Sequence, residues 1–163
     1  MRFGPRATLM PSLAFIGVGL LLFARTPVDG NYVTDVMPEM VLLGLGAGLG
    51  FPSLMTLAMS GATRSDSGLA SGLVNTSVQV GGAIGLAVLA TFATERTDGL
   101  LAKGEQAASA LNSGYHLAYL IGAALVLVAI AVAVGVLRSE RARPSDEEAA
   151  ERAGAEPAYS EAA

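Results

Sequence analysis

The chain has 163 residues, of which 52% are apolar and 15% charged, with 20 glycines, no cysteine and no tryptophan. That balance excludes an ordinary soluble domain and points to membrane-spanning helices, while the missing cysteine excludes disulfides, thiolate metal sites and thiol chemistry. The net charge of −4 is no acidic binding surface, because half of the 14 acids (Glu140, Asp146, Glu147, Glu148, Glu151, Glu156 and Glu161) lie beyond residue 139.

The apolar residues gather in four blocks, 7–24, 36–60, 68–93 and 115–137. Each is long enough, at about 1.5 Å per residue, to cross about 30 Å of hydrocarbon. The predicted fold class is therefore all-α, with four transmembrane spans within residues 1–138 and a charged tail over 139–163. In the first block Arg2 and Arg6 precede an apolar run, as in a signal peptide, but "LLFARTP" offers no small-x-small cleavage site. A retained helix is the reading that fits. Phe15, Leu20, Leu21, Leu22 and Phe23 surround Gly17 and Gly19 there, without a polar stripe.

The second block places Met37, Met40, Gly44, Gly48, Met55 and Met59 in one helical sector. Methionine is a soft lining for varied apolar shapes, with ordinary packing as the alternative. Pro52 removes the hydrogen bond to the Gly48 carbonyl, so a bent or broken helix is expected. Gly44 and Gly48 are candidate helix-packing positions. Asp35 and Glu39 sit one turn apart at the start of this block, either as solvated interfacial acids or as groups that attract a cation or proton.

The third block holds the polar signal. At about 100° per residue, Ser71, Asn75, Gln79 and Gly82 fall within a sector of about 80°, and Leu69, Leu73, Val80, Ile84 and Ala87 lie opposite. Ser77, Gly81 and Gly85 form a small-residue ridge between them, a surface another helix can approach closely. A side-chain amide left alone in hydrocarbon costs several kcal/mol. Asn75 and Gln79 thus either bond to neighbouring helices or line a water-filled pathway near the bilayer midplane. Ser71, Asn75, Gln79, Gly82 and Met55 are the candidate substrate-pathway residues.

The fourth block has no polar side chain from Leu120 to Leu137 and reads as a peripheral support helix. Tyr115 and Tyr119 at its start suit an interfacial aromatic belt, and His116 beside them reads as an interfacial side chain without a second metal-ligand type nearby. In the tail, Ser145 and Glu148 have capping-box spacing, yet the composition favours disorder. Lys and Arg divide seven (Arg2, Arg6, Arg64, Arg138, Arg141, Arg143, Arg152) against three (Arg25, Arg96, Lys103). This bias puts both termini in the cytoplasm and the loops 25–35 and 94–114 outside, in a cell (inner or plasma) membrane. No nucleotide-binding or hydrolytic motif, metal-ligand set or basic nucleic-acid face is present, so neither an enzyme nor a cofactor or metal is expected.

Three stretches carry a resemblance. "RFGPR", with Arg2, Gly4 and Arg6, resembles the end of a D-R-x-G-R signature loop, and "LLGLGAGLGFPSLMTLAMSG" and "SGLASGLVNTSVQVGGAIGLAVL" resemble the twelfth and thirteenth spans of a fourteen-span drug:proton antiporter. The chain is similar to the C-terminal part of the EmrB/QacA-like branch of the major facilitator superfamily. The resemblance implies spans eleven to fourteen of a longer multidrug exporter, truncated and not competent alone. Its partners would be membrane lipid, the missing N-terminal spans, a small amphipathic or cationic substrate and protons. The acid that opens the signature is absent before Arg2, and proton-carrying acids would lie in earlier spans. The alternative is a free-standing four-span membrane protein, an oligomeric scaffold or partner subunit whose glycine ridges are subunit contacts.

Overall fold

The computed structural model describes residues 5–63 and 65–141, with side chains over 7–63 and 65–135. Arg2, Gly4, the Arg6 side chain and the tail from 142 lie outside the described residues. The chain divides into two units, Met1–Ile130 and Ala131–Ala163; the described part of the second, 131–141, is helical. The elements are α1 (Pro5–Phe23), a π-helical turn (Tyr32–Val36), α2 (Met37–Met59), α3 (Ser67–Leu101) and α4 (Ala107–Arg141). The fold class is all-α: among the described residues every regular element is helical. Tyr32–Met59, Ser67–Leu101 and Ala107–Gly135 are long and apolar enough to cross a bilayer, and Ala7–Phe23 is a shorter apolar helix.

α1 and α2 form an antiparallel hairpin whose seam is small and polar. A Cβ on Gly46 would lie 2.6 Å from Ile16 Cγ1 and 2.8 Å from the Ser12 carbonyl oxygen, and one on Gly50 would lie 3.0 Å from Ser12 Oγ. Ser12 is fully buried and donates to the Leu9 carbonyl at 2.7 Å. The hydroxyls of Thr8 and Ser53 meet at 2.7 Å across the seam. The close approach therefore comes from Gly46 and Gly50, whereas Gly44 and Gly48, the expected packing pair, face open space within this chain. α1 is likewise not without polar residues toward its neighbour, since Thr8 and Ser12 both face α2.

α2 runs as one helix through Pro52 and is not broken there. Nearby hydroxyls bond back onto the helix, Ser53 Oγ to the Leu49 carbonyl at 2.8 Å and Thr56 Oγ1 to the Pro52 carbonyl at 2.8 Å, the kind of local bond that bends a helix without ending it. On its other side α1 meets α4. Gly122 opposes Leu20, Gly17 opposes Val126, and the Phe23 and Tyr119 rings lie 5.1 Å apart. The residues of α4 up to Ile130 are thus an inner neighbour of α1, not only a peripheral support.

The connection expected over 94–114 is much shorter. α3 continues to Leu101 and α4 begins at Ala107. Ala, Glu, Arg and Leu in these polar flanks are strong helix formers, so leaving the apolar block does not end the helix. The end of α3 is a Schellman cap: Gly104 has φ +85, its N–H donates to the Leu101 carbonyl at 2.9 Å, and the Glu105 N–H donates to the Leu100 carbonyl at 3.2 Å. Gly104→Ala is expected to destabilise this turn by about 1 kcal/mol, measurable as a lower unfolding midpoint in detergent. Gly99→Ala, helical and facing open space, should not lower it.

Candidate functional site

α3 builds the exposed face of the chain. Leu69 is 79% exposed, Leu73 66% and Ile84 60%, and Ser71, Asn75, Gln79 and Gly82 on the other side are exposed as well. Neither side-chain amide of Asn75 and Gln79 has a hydrogen-bond partner among the described residues. Thr76 satisfies itself by donating to the Gly72 carbonyl at 2.9 Å.

Between α2 and α3 lies a groove of about 360 Å³ lined by Phe51, Leu54, Met55 and Ala58 on one side and Leu73, Val74, Ser77 and Val78 on the other. The five candidate pathway residues are divided by it. Met55 lines the groove; Ser71, Asn75, Gln79 and Gly82 occupy the flank of α3 about 120° further round the helix. Ser77, expected as a packing residue, supplies the groove wall with a hydroxyl. A Cβ on Gly81 or Gly85 would meet nothing within 4 Å, so among the described residues no helix packs on these two glycines of the ridge.

A second polar cluster gathers where the 24–31 segment crosses the start of α2. Thr26 Oγ1 donates to Glu39 Oε2 at 3.1 Å and Oε1 at 3.3 Å. The Thr26 carbonyl accepts from Asn112 Nδ2 at 3.1 Å and from His116 Nε2 at 2.9 Å. Glu39 is 6% exposed, the one buried charged side chain among the described residues. The expectation of two solvated acids holds for neither residue in full: Asp35 is half-buried and accepts the Asn31 N–H at 2.7 Å, and Glu39 is covered because the chain folds back over the first turn of α2. His116 is more than an interfacial ring, since it ties α4 to that segment. Thr26 and Asn112 were not singled out by the sequence; no periodic pattern marks residues that meet across 86 positions of chain.

Residues 1–161 match the Major Facilitator Superfamily. The chain belongs to that superfamily. With its apolar helices, membership makes it a multi-pass membrane protein of a transport family. It is similar to the puromycin resistance protein pur8 of Streptomyces alboniger, 32% identical over 154 residues, which cover 90% of this chain and 30% of that protein. It is 39% identical to the cephamycin export protein CmcT of Amycolatopsis lactamdurans over 109 residues, covering 67% of this chain and 21% of the relative. The lincomycin resistance protein of Streptomyces lincolnensis is 37% identical over 53% of this chain and 18% of its own length. The chain thus spans less than a third of each of these relatives. No solved structure matches it. The exposed α3 face and the apolar groove are surfaces that the described residues leave uncovered.

Proposed function

We propose that this chain is a transmembrane segment of a drug-efflux carrier, the C-terminal part of a fourteen-span EmrB/QacA-like antiporter that exports amphipathic or cationic compounds in exchange for protons. The supporting observation is α3: a helix with an apolar groove on one side and unpartnered amides on the next, exposed in a chain resembling proteins named for puromycin, cephamycin and lincomycin resistance or export. The groove offers apolar contact with Met55 and Ser77, and Asn75 and Gln79 orient polar groups of the substrate beside it. Further spans complete the cleft by packing on Gly44, Gly48, Gly81 and Gly85, so the segment alone is inactive. Both termini are cytoplasmic and the Thr26 end faces outward, in line with the lysine and arginine distribution.

The test is single-cysteine labelling, to which this chain contributes no cysteine of its own, in a carrier whose other cysteines have been replaced. In a carrier containing these spans, Asn75→Cys and Gln79→Cys are expected to react with a water-soluble maleimide several times faster than Leu69→Cys and Ile84→Cys on the opposite face. Substrate should slow the first pair alone. Equal reaction of all four overturns the pathway assignment.

A further inference from the structure

We propose that the groove between the end of α3 and the start of α4 binds a small organic ammonium ion, an arylalkyl amine whose N–H groups are taken by Asp98 and Thr94. The hairpin that makes this groove is tightly joined. A Cβ on Gly114 would collide with Thr97 Oγ1 and the Ala93 carbonyl oxygen, and Ala110 is fully buried. Thr97 Oγ1 meets the Ala93 carbonyl at 2.8 Å and the Ala110 carbonyl at 3.4 Å, so one hydroxyl ties the two helices. Beside this seam lies a cavity of about 310 Å³, with Leu101, Ala107, Leu111 and Tyr115 as apolar wall and Thr94 and Asp98 on its α3 side. A few polar groups in a mostly apolar hollow of this size suit a small molecule.

The polar groups choose the ligand. Thr94 and Asp98 are one turn apart on α3, so their side chains are neighbours, and neither has a hydrogen bond or ion pair among the described residues. Arg96 serves the other side of the hairpin, where its Nε donates to Ser113 Oγ at 3.2 Å in a separate hollow shared with His116 and Leu120. The groove therefore keeps a carboxylate and no cation. A carboxylate and a hydroxyl oxygen together accept two N–H groups of one ammonium, and the Tyr115 ring adds cation–π attraction. A fully alkylated ammonium has no N–H to give and loses the first of these contacts. The apolar wall selects the rest of the molecule. Leu101 and Leu111 are 41% and 47% exposed, yet they lie about 12 Å and about 6 Å along their helices past the ends of the apolar blocks. Acyl chains do not reach that depth, so an apolar ligand body, not lipid, is the fitting cover. That this end faces outward rests on the orientation proposed above; the binding does not.

The experiment titrates this chain in lipid nanodiscs with para-fluorophenethylamine at neutral pH, read by fluorine NMR line width against empty nanodiscs. No transport is measured, so its failure leaves the efflux reading standing. Saturable binding is expected, weakened about fivefold by Asp98→Asn and about threefold by Thr94→Val. Glu95→Gln removes the same charge from an exposed position outside the groove and should leave binding unchanged. The corresponding neutral alcohol and the trimethylammonium analogue should each bind several times more weakly than the amine. If Asp98→Asn disturbs the helix end, Thr94→Val decides, since it keeps the shape and removes one acceptor. Absence of saturable binding overturns the proposal. So does equal binding of amine and alcohol, which would make the groove a hollow for lipid or any apolar body, or an equal loss in Glu95→Gln, which would make the attraction diffuse. Leu101→Cys chains that cross-link to one another in high yield without ligand would show a second copy filling the groove, and would overturn it as well.

Discussion

Gly46→Ala is expected to destabilise the α1–α2 hairpin by about 2 kcal/mol, while Gly44→Ala and Gly48→Ala in the same isolated chain stabilise it by up to about 1 kcal/mol. The sign follows from what a methyl group would meet. At Gly46 it would lie 2.6 Å from Ile16 Cγ1, 2.8 Å from the Ser12 carbonyl oxygen and 3.0 Å from the Ile16 nitrogen. Two of these are backbone atoms of α1, which cannot step aside without moving the helix. At Gly50 the nearest atom is the Ser12 hydroxyl at 3.0 Å, a side-chain end that can rotate, so Gly50→Ala should fall between. At Gly44 and Gly48 the space is open, and alanine simply favours the helix. Unfolding in mixed detergent orders the four variants. The hydroxyls of Thr8 and Ser53 lie 2.7 Å apart, so a Thr8→Cys/Ser53→Cys pair reports the same hairpin by disulfide yield, which should drop most with Gly46→Ala, less with Gly50→Ala and not with Gly44→Ala or Gly48→Ala. Repeated in a longer carrier, the comparison also tests for partners. If further spans pack on Gly44 and Gly48, their substitutions change sign and become destabilising.

How far the sequence could reach is visible in the same glycines. Apolar length was enough to place helices at all four blocks, because hydrocarbon-length runs of Leu, Val, Ala and Gly have few other conformations. Which side of α2 would be covered was not legible. Gly44, Gly46, Gly48 and Gly50 alternate every second residue, so glycine appears on several faces of the helix and the pattern alone cannot choose. The choice is made by Ser12 and Ile16 on α1, and no rule of spacing within α2 contains them. The polar flanks of α3 and α4 misled for a different reason. Their charges mark the end of the hydrocarbon, not the end of the helix, and only Gly104 with its positive φ turns the chain. Glu39 was hidden more deeply still. Its position at the start of a span suggests solvent, and its burial arises from Thr26, which the intervening segment carries back over it.

The amide stripe was legible as a pattern, and its role is decided by replacing Asn75 and Gln79 together with Leu in a full-length carrier. Export is expected to fall at least tenfold while the amount of inserted protein stays the same or rises. Two lost hydrogen bonds of about 1 kcal/mol each account for a drop of roughly 30-fold. Leucine meanwhile sits more comfortably than an amide in any apolar setting, which keeps insertion from suffering. The three possible environments of the stripe predict different pairs of readings. Against lipid, the double variant inserts better and exports normally, because a costly exposed amide has been removed. Against another helix, insertion and export fall together, since the partner's polar group is left unsatisfied in the bundle. Against a wet pathway, export falls alone. Ser77→Ala in the groove supplies the companion measurement: it removes one hydroxyl from a wall otherwise made of Leu, Val, Phe, Met and Ala side chains. Its effect should depend on whether the drug carries a polar group that can reach the wall, whereas the amide pair should matter for every drug that traverses the cleft.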